Sequence, residues 1–193
     1  MRIGIFGGTF DPVHNGHVHL VQEMSKALHL DLIIVVVANL SPFKLEYPPI
    51  AKAIDRLEMV KLAFREVKGV VVSPIEINRG GTSYTIDTVK KILKDYPDDE
   101  MFLLLTQDAV DSFENWKDSH EIESLVKVVF AIDQNSKFKF DNRFFCSIPW
   151  VRSSSTEVRN RLFAREDGRQ FLSPKVLDYI AKHQLYSRAY DNE

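Results

Sequence analysis

The sequence is short of cysteine and of net charge: Cys146 is its only cysteine, and 25 basic residues stand against 27 acidic ones for a formal net charge of -2. A single thiol forms no internal disulfide and no CxxC metal or redox pair, which suits a reducing compartment. The charge balance excludes a surface that is, as a whole, a platform for nucleic acid or membrane. Long apolar runs are absent as well. The longest, Leu32 to Ala38, is far too short to span a bilayer. The N-terminus lacks the charged, apolar and cleavage-site succession of a signal peptide, and Met1 to Phe6 reads as a strand. The expected compartment is the cytoplasm, with no nucleic-acid or membrane partner. No Gly/Ser/Pro-rich linker and no internal repeat divides the 193 residues, so one domain over 1–193 is expected, long enough to bury a core without disulfide or metal staples.

Short β-branched runs alternate with stretches of helical period, the pattern of an α/β sheet. The predicted strands are Ile3 to Phe6, Leu32 to Val37, Val70 to Val72, Met101 to Leu105, Val128 to Ile132 and Phe144 to Ile148. Runs apolar at successive positions are buried on both faces, which predicts a mostly parallel sheet covered by helices. Crossover helices are expected over Lys52 to Val67, through Ile54, Leu57, Val60, Ala63, Phe64 and Val67, and over Tyr84 to Tyr96. Two helices close the chain. One runs from Ser155 to Glu166; the other has Ser173 as N-cap, Pro174 at its first position and a stripe of Val176, Leu177, Ile180 and Ala181. His183 reads as a solvated helix-end residue. The loop Asn39 to Pro49 follows the second strand, at the carboxyl edge where open α/β sheets bind ligands.

Gly7-Gly8-Thr9-Phe10-Asp11-Pro12-Val13-His14-Asn15-Gly16-His17 links a strand to a helix. Two glycines allow close backbone approach, and unpaired amides at a helix start face negative charge. The run is neither a GxGxxG fingerprint nor a P-loop. His14 and His17 can donate to charge building on a phosphorus, or they can simply cap the helix. A zinc site with His19 is disfavoured, because His17 and His19 lie roughly 200° apart around a helix. A second strand-to-helix junction, Ser154-Ser155-Thr156-Glu157-Val158-Arg159, offers hydroxyls, free amides and a guanidinium, and reads as another anion site. Arg2 and the run from Arg161 to Arg169 read as solvated surface.

GGTFDPVHNGH resembles the GGTFDPxHxGH signature of the nicotinate mononucleotide adenylyltransferase family, within the nucleotidyltransferases that share HxGH. The resemblance implies a Rossmann-like, doubly wound fold, with Gly8, Thr9 and Phe10 around the nucleotide and His14 and His17 on its triphosphate. The Ser154 segment resembles the family's ISSTxxR, with Ser153 where isoleucine is usual. It implies that Ser155 and Thr156 hold the outer phosphates of ATP and that Arg159 compensates the leaving pyrophosphate. Ser83-Tyr84-Thr85-Ile86-Asp87-Thr88 resembles SYTxDT, and Trp116-Lys117 falls in the family's tryptophan stretch. Trp116 offers a π face for a pyridinium ring, and amides near Tyr84 and Thr85 could hold a carboxylate. Asp108 stands in the family's GxD, with Thr106 replacing the glycine. Lys44 stands in its PPHK, here Ser41-Pro42-Phe43-Lys44, and is implied to bridge phosphates of both substrates.

The implied reaction is attack by the acceptor's phosphate on the α-phosphorus of ATP, with Mg2+ carried by substrate oxygens and water rather than by a protein metal site. The expected partners are ATP and nicotinate mononucleotide, and a homo-oligomer is compatible with the sequence. Nicotinamide mononucleotide and phosphopantetheine remain alternative acceptors. An aminoacyl-tRNA synthetase would need a KMSKS-like loop and an anticodon domain, neither of which is evident. A non-catalytic nucleotide-binding module is the remaining alternative, separable by ATP-dependent pyrophosphate release.

Overall fold

The structure is a computed structural model, and it describes residues 1–135 and 144–187. Among these the chain runs β1 (Arg2–Gly8), α1 (Asn15–Ala27), β2 (Leu32–Val37), α2 (Ala53–Phe64), β3 (Val70–Ser73), α3 (Ile75–Arg79), α4 (Thr85–Asp95) and β4 (Glu100–Thr106). It continues through α5 (Ser119–Leu125), β5 (Lys127–Asp133), β6 (Phe144–Ile148), α6 (Ser155–Phe163) and α7 (Pro174–Lys182). The strands form one sheet in the order β3-β2-β1-β4-β5-β6. Every pairing is parallel, so the expected mostly parallel sheet is wholly parallel. This is the doubly wound order, and its direction of winding reverses between β1 and β4, where neighbouring crossovers leave in opposite directions and open a crevice.

Alternation along the central strands feeds two cores. Phe6, Val35, Leu104 and Val129 face a layer that includes Val21, Val60, Val158 and Val176, from α1, α2, α6 and α7. Ile5, Val36, Leu103 and Leu105 face Ile86 and Val89 of α4, Phe113 and Ile122 of α5. Both layers are apolar because both faces of a parallel sheet are covered. The edge strands are not covered in this way: Val71 of β3 is 46% exposed and Phe144 of β6 is 67% exposed.

The helix ends differ from the periodic reading in informative ways. α2 stops at Phe64, and the Val67 amide turns back to the Phe64 carbonyl. Ile54, expected to pack, lies on the open side of the first turn and is exposed. α4 begins one residue later than expected because Tyr84 is its extended N-cap, and α6 ends at Phe163, not Glu166. Ser173 caps α7 by accepting from the Val176 amide, with Pro174 first in the helix. Of the stripe on that helix, Val176 and Ile180 are buried, whereas Ala181 faces solvent. His183 ends the helix, stacked on Tyr179. α3 is a single turn, too short to leave a periodic trace. No helix among the described residues is long and apolar enough to cross a membrane.

Candidate active site

The loop from β1 to α1 is shaped by two glycines. A Cβ on Gly8 would stand 2.7 Å from the Phe10 ring, and one on Gly16 would stand 3.0 Å from His14 Nδ1. Phe10 adopts φ 51, in the left-handed region, and is 2% exposed. Its ring lies edge-on to His17 at 5.0 Å, so it supports the histidine from beneath.

His14 is the extended N-cap of α1, and its amide donates to His17 Nδ1 at 3.1 Å. An imidazole nitrogen that accepts is unprotonated, so the ring proton of neutral His17 sits on Nε2. The two rings are 3.7 Å apart. Burial pushes His14 down to about 4, and burial, then the neighbouring His14 and Lys44, push His17 well below the ordinary histidine range. At neutral pH the unliganded pair is therefore uncharged. His17 thus caps through one nitrogen and leaves the other able to donate. His14 Nδ1 is buried without a hydrogen-bond partner. His19 turns to the Pro149 carbonyl at 2.8 Å, and no three His, Cys, Asp or Glu side chains among the described residues form a metal cluster.

The loops are tied together by groups that the sequence reading did not single out. Arg56 of α2 is 1% exposed, and its guanidinium donates to the carbonyls of Thr9 at 2.7 Å, Ala38 at 2.6 Å, Asn39 at 2.9 Å and Ala51 at 3.2 Å. The Asp11 carboxylate accepts from the Ile50 and Ala51 amides and from the Tyr186 hydroxyl at 2.7 Å. No periodic signal marks Arg56, because an arginine in a helix ordinarily reads as solvated. Tyr186 is distant in sequence and joins the site only through the fold.

α6 arrives at the same place. Ser154 caps it, Ser155 Oγ donates to the Pro12 carbonyl at 2.9 Å, and Arg159 donates to the Asp11 carbonyl at 2.7 Å and to Thr156 Oγ1 at 3.1 Å. The two helix N-termini suspected of anion binding are thus in contact. Lys44 lies in a single turn, Pro42–Lys44. Partial desolvation, then Arg159, lowers its ammonium below the usual lysine value, while Asp11 and Asp108 oppose the shift.

Two cavities open on this edge. The first, about 420 Å³, is lined by Gly8, Thr9, Tyr84, Thr85 and Trp116, with Phe43 at 5.8 Å from the Trp116 ring. The second, about 850 Å³, is lined by His14, His17, Asp108 and Ser155, together with His19 and Arg152. Gly8 and Thr9 thus line the first cavity, and His14 and His17 the second. Thr156 lies on a separate shallow surface with Arg161, and Arg159 is held between Asp11 and Thr156. Arg161 is not simply solvated: it pairs with Glu157 and Glu166 and covers the Phe171 ring.

A doubly wound sheet with two helix starts meeting at its switch point, one of them carrying HxGH, has the architecture of a nucleotidyltransferase. The chain belongs to the cytidylyltransferase-like family, which it matches over residues 5–161. It is 38% identical to a probable nicotinate-nucleotide adenylyltransferase of Shouchella clausii, over 96% of each chain. It is 36% identical to one of Thermus thermophilus, over 96% of this chain and all of that one. In structure it is similar to Plasmodium falciparum nicotinic acid mononucleotide adenylyltransferase complexed with NaAD, with a TM-score of 0.77 and 20% identity over 96% of this chain and 97% of that chain.

Proposed function

We propose that the protein transfers the adenylyl group of ATP to nicotinate mononucleotide, forming nicotinate adenine dinucleotide and pyrophosphate. The observation that carries this reading is the pair of cavities that flank the β1 to α1 loop, one walled by Trp116 and helix-opening amides, the other by His14, His17 and Ser155. The first suits a flat pyridinium nucleotide; the second suits a triphosphate. Between them the two phosphates meet.

An acceptor phosphate oxygen attacks the α-phosphorus, the bond from that phosphorus to the α,β-bridging oxygen breaks, and pyrophosphate leaves with the electron pair. The acceptor phosphate is already ionised, so no general base and no protein nucleophile is required. Cys146, whose thiol is pushed up by burial in β6, would be a poor one. The protein's contribution is positioning and neutralisation of charge. His17 donates from Nε2 to the phosphate oxygens, Lys44 bridges the two substrates, and Ser155 with Arg159, which Thr156 helps to hold, receives the departing pyrophosphate. Asp108 approaches the nucleoside end of ATP. Mg2+ would enter with the triphosphate of ATP and would supply further neutralisation of charge on its phosphates, as a small hard cation that keeps several of its waters. A homo-oligomer is compatible with this reading. The compartment is the cytoplasm, where ATP and free thiols coexist.

The test is pyrophosphate release with ATP and Mg2+, with and without nicotinate mononucleotide. Release should depend on the acceptor. Equal release without it would mark an ATP pyrophosphatase instead.

A further inference from the structure

The acceptor cavity is lined by one acidic and one basic side chain, Glu76 and Lys117. They are placed differently. Glu76 is 6% exposed and accepts from the Thr88 hydroxyl at 2.6 Å, and Arg79 reaches the same hydroxyl at 3.3 Å. Its charge is set into the wall with compensation close by. Lys117 follows Trp116 and is exposed at the cavity mouth. Its ammonium stands 4.5 Å from the centroid of the Tyr84 ring, and among the described residues it makes no ion pair.

We propose that Lys117 is the residue that makes this cavity prefer an acceptor ring bearing a carboxylate over one bearing a carboxamide, an inference that rests on the function proposed above. The argument begins with what the backbone amides beside Tyr84 and Thr85 can do. They donate to an oxygen of either substituent, so the difference they read is only that between a charged and a neutral acceptor. A cation reads net charge, and it also opposes the carboxamide, whose N–H donors find only further donors on an ammonium. Trp116, Tyr84, Thr85 and Lys117 line one cavity, so a ring laid on Trp116 presents its substituent within reach of a long, flexible lysine. Resting on an aromatic face at an exposed site is a weak hold. The ammonium is therefore kept near the cavity and released readily to a carboxylate. Phe43, which lines the same cavity, carries no charge and does not read the substituent's charge.

The experiment compares kcat/KM for nicotinate and nicotinamide mononucleotides in the wild type and in Lys117→Met, Lys117→Gln and Lys117→Arg, at low and high ionic strength. The neutral variants should lose roughly tenfold with the nicotinate nucleotide, chiefly through KM, and change little with the nicotinamide nucleotide, since a tenfold effect corresponds to about 1.4 kcal/mol. Lys117→Arg should retain the preference. Added salt should narrow the wild-type preference and leave the neutral variants unmoved, because exposed charges are screened. A wild-type preference that survives intact in both neutral variants overturns the role of Lys117 alone. A wild type that uses both acceptors equally overturns the nicotinate assignment and the role of Lys117 together.

Discussion

The two histidines of the HxGH segment act differently although they are three residues apart. His17 spends Nδ1 on the amide of His14, and that bond fixes which nitrogen carries the proton. His14 serves as the helix cap and as a lid of ring surface at 3.7 Å. His17→Ala should lower kcat on the order of 100 to 1,000-fold, as loss of a preorganised donor does, with KM for ATP changed far less. Steady-state kinetics on a variant with native circular dichroism measures this, and an unchanged kcat would leave His17 as a helix cap and nothing more. The motif itself was legible from spacing and glycine content. The tautomer was not, because it depends on an amide direction that no residue type encodes. Phe10 illustrates the same limit. It stands within the signature, and the φ of 51 that sets its ring into the core against His17 is not something its residue type encodes.

At the scale of elements, the site is held by side chains that bind loop to loop. Arg56 spans four carbonyls from the β1 to α1 loop, the end of β2 and the turn into α2. Desolvation lowers its pKa, and the charge of Asp11 opposes the shift. Removing the guanidinium leaves four carbonyls without their donor and takes a cation away from Asp11, a kind of loss that costs about 3 kcal/mol or more. Arg56→Met should lower the unfolding free energy by that amount in a urea titration, and Arg56→Lys should rescue only part of it, since one ammonium cannot span a fork of carbonyls. A loss under about 1 kcal/mol would show that the loops hold their shape without the clamp. The elements were read well where a periodic or capping signal existed, as for β2, α4 and the Ser173–Pro174 start of α7. They were read poorly where length or solvent decided the outcome. Single-turn α3 has no period to detect, and α2 was extended past Phe64 because Val67 packs against the core from the following turn.

The whole molecule places its chemistry by topology. β1 sits at the centre of the sheet, and the two cavities open on either side of the loop that leaves it, one toward α4, the other toward α6. The sequence displayed the parallel sheet through its doubly buried strands, and it displayed both helix starts. It did not reveal that Ser155 and Arg159 touch Pro12 and Asp11, because contacts across 143 and 148 positions follow from strand order. That contact makes one site out of two motifs and underlies the claim of adenylyl transfer. The most direct measurement follows labelled phosphorus. With ATP labelled at the α-phosphorus and nicotinate mononucleotide as acceptor, the label should appear in the dinucleotide, one equivalent for each pyrophosphate, and a γ-label should appear only in pyrophosphate. An α-label recovered as AMP, or a γ-label transferred to the acceptor, would contradict the account.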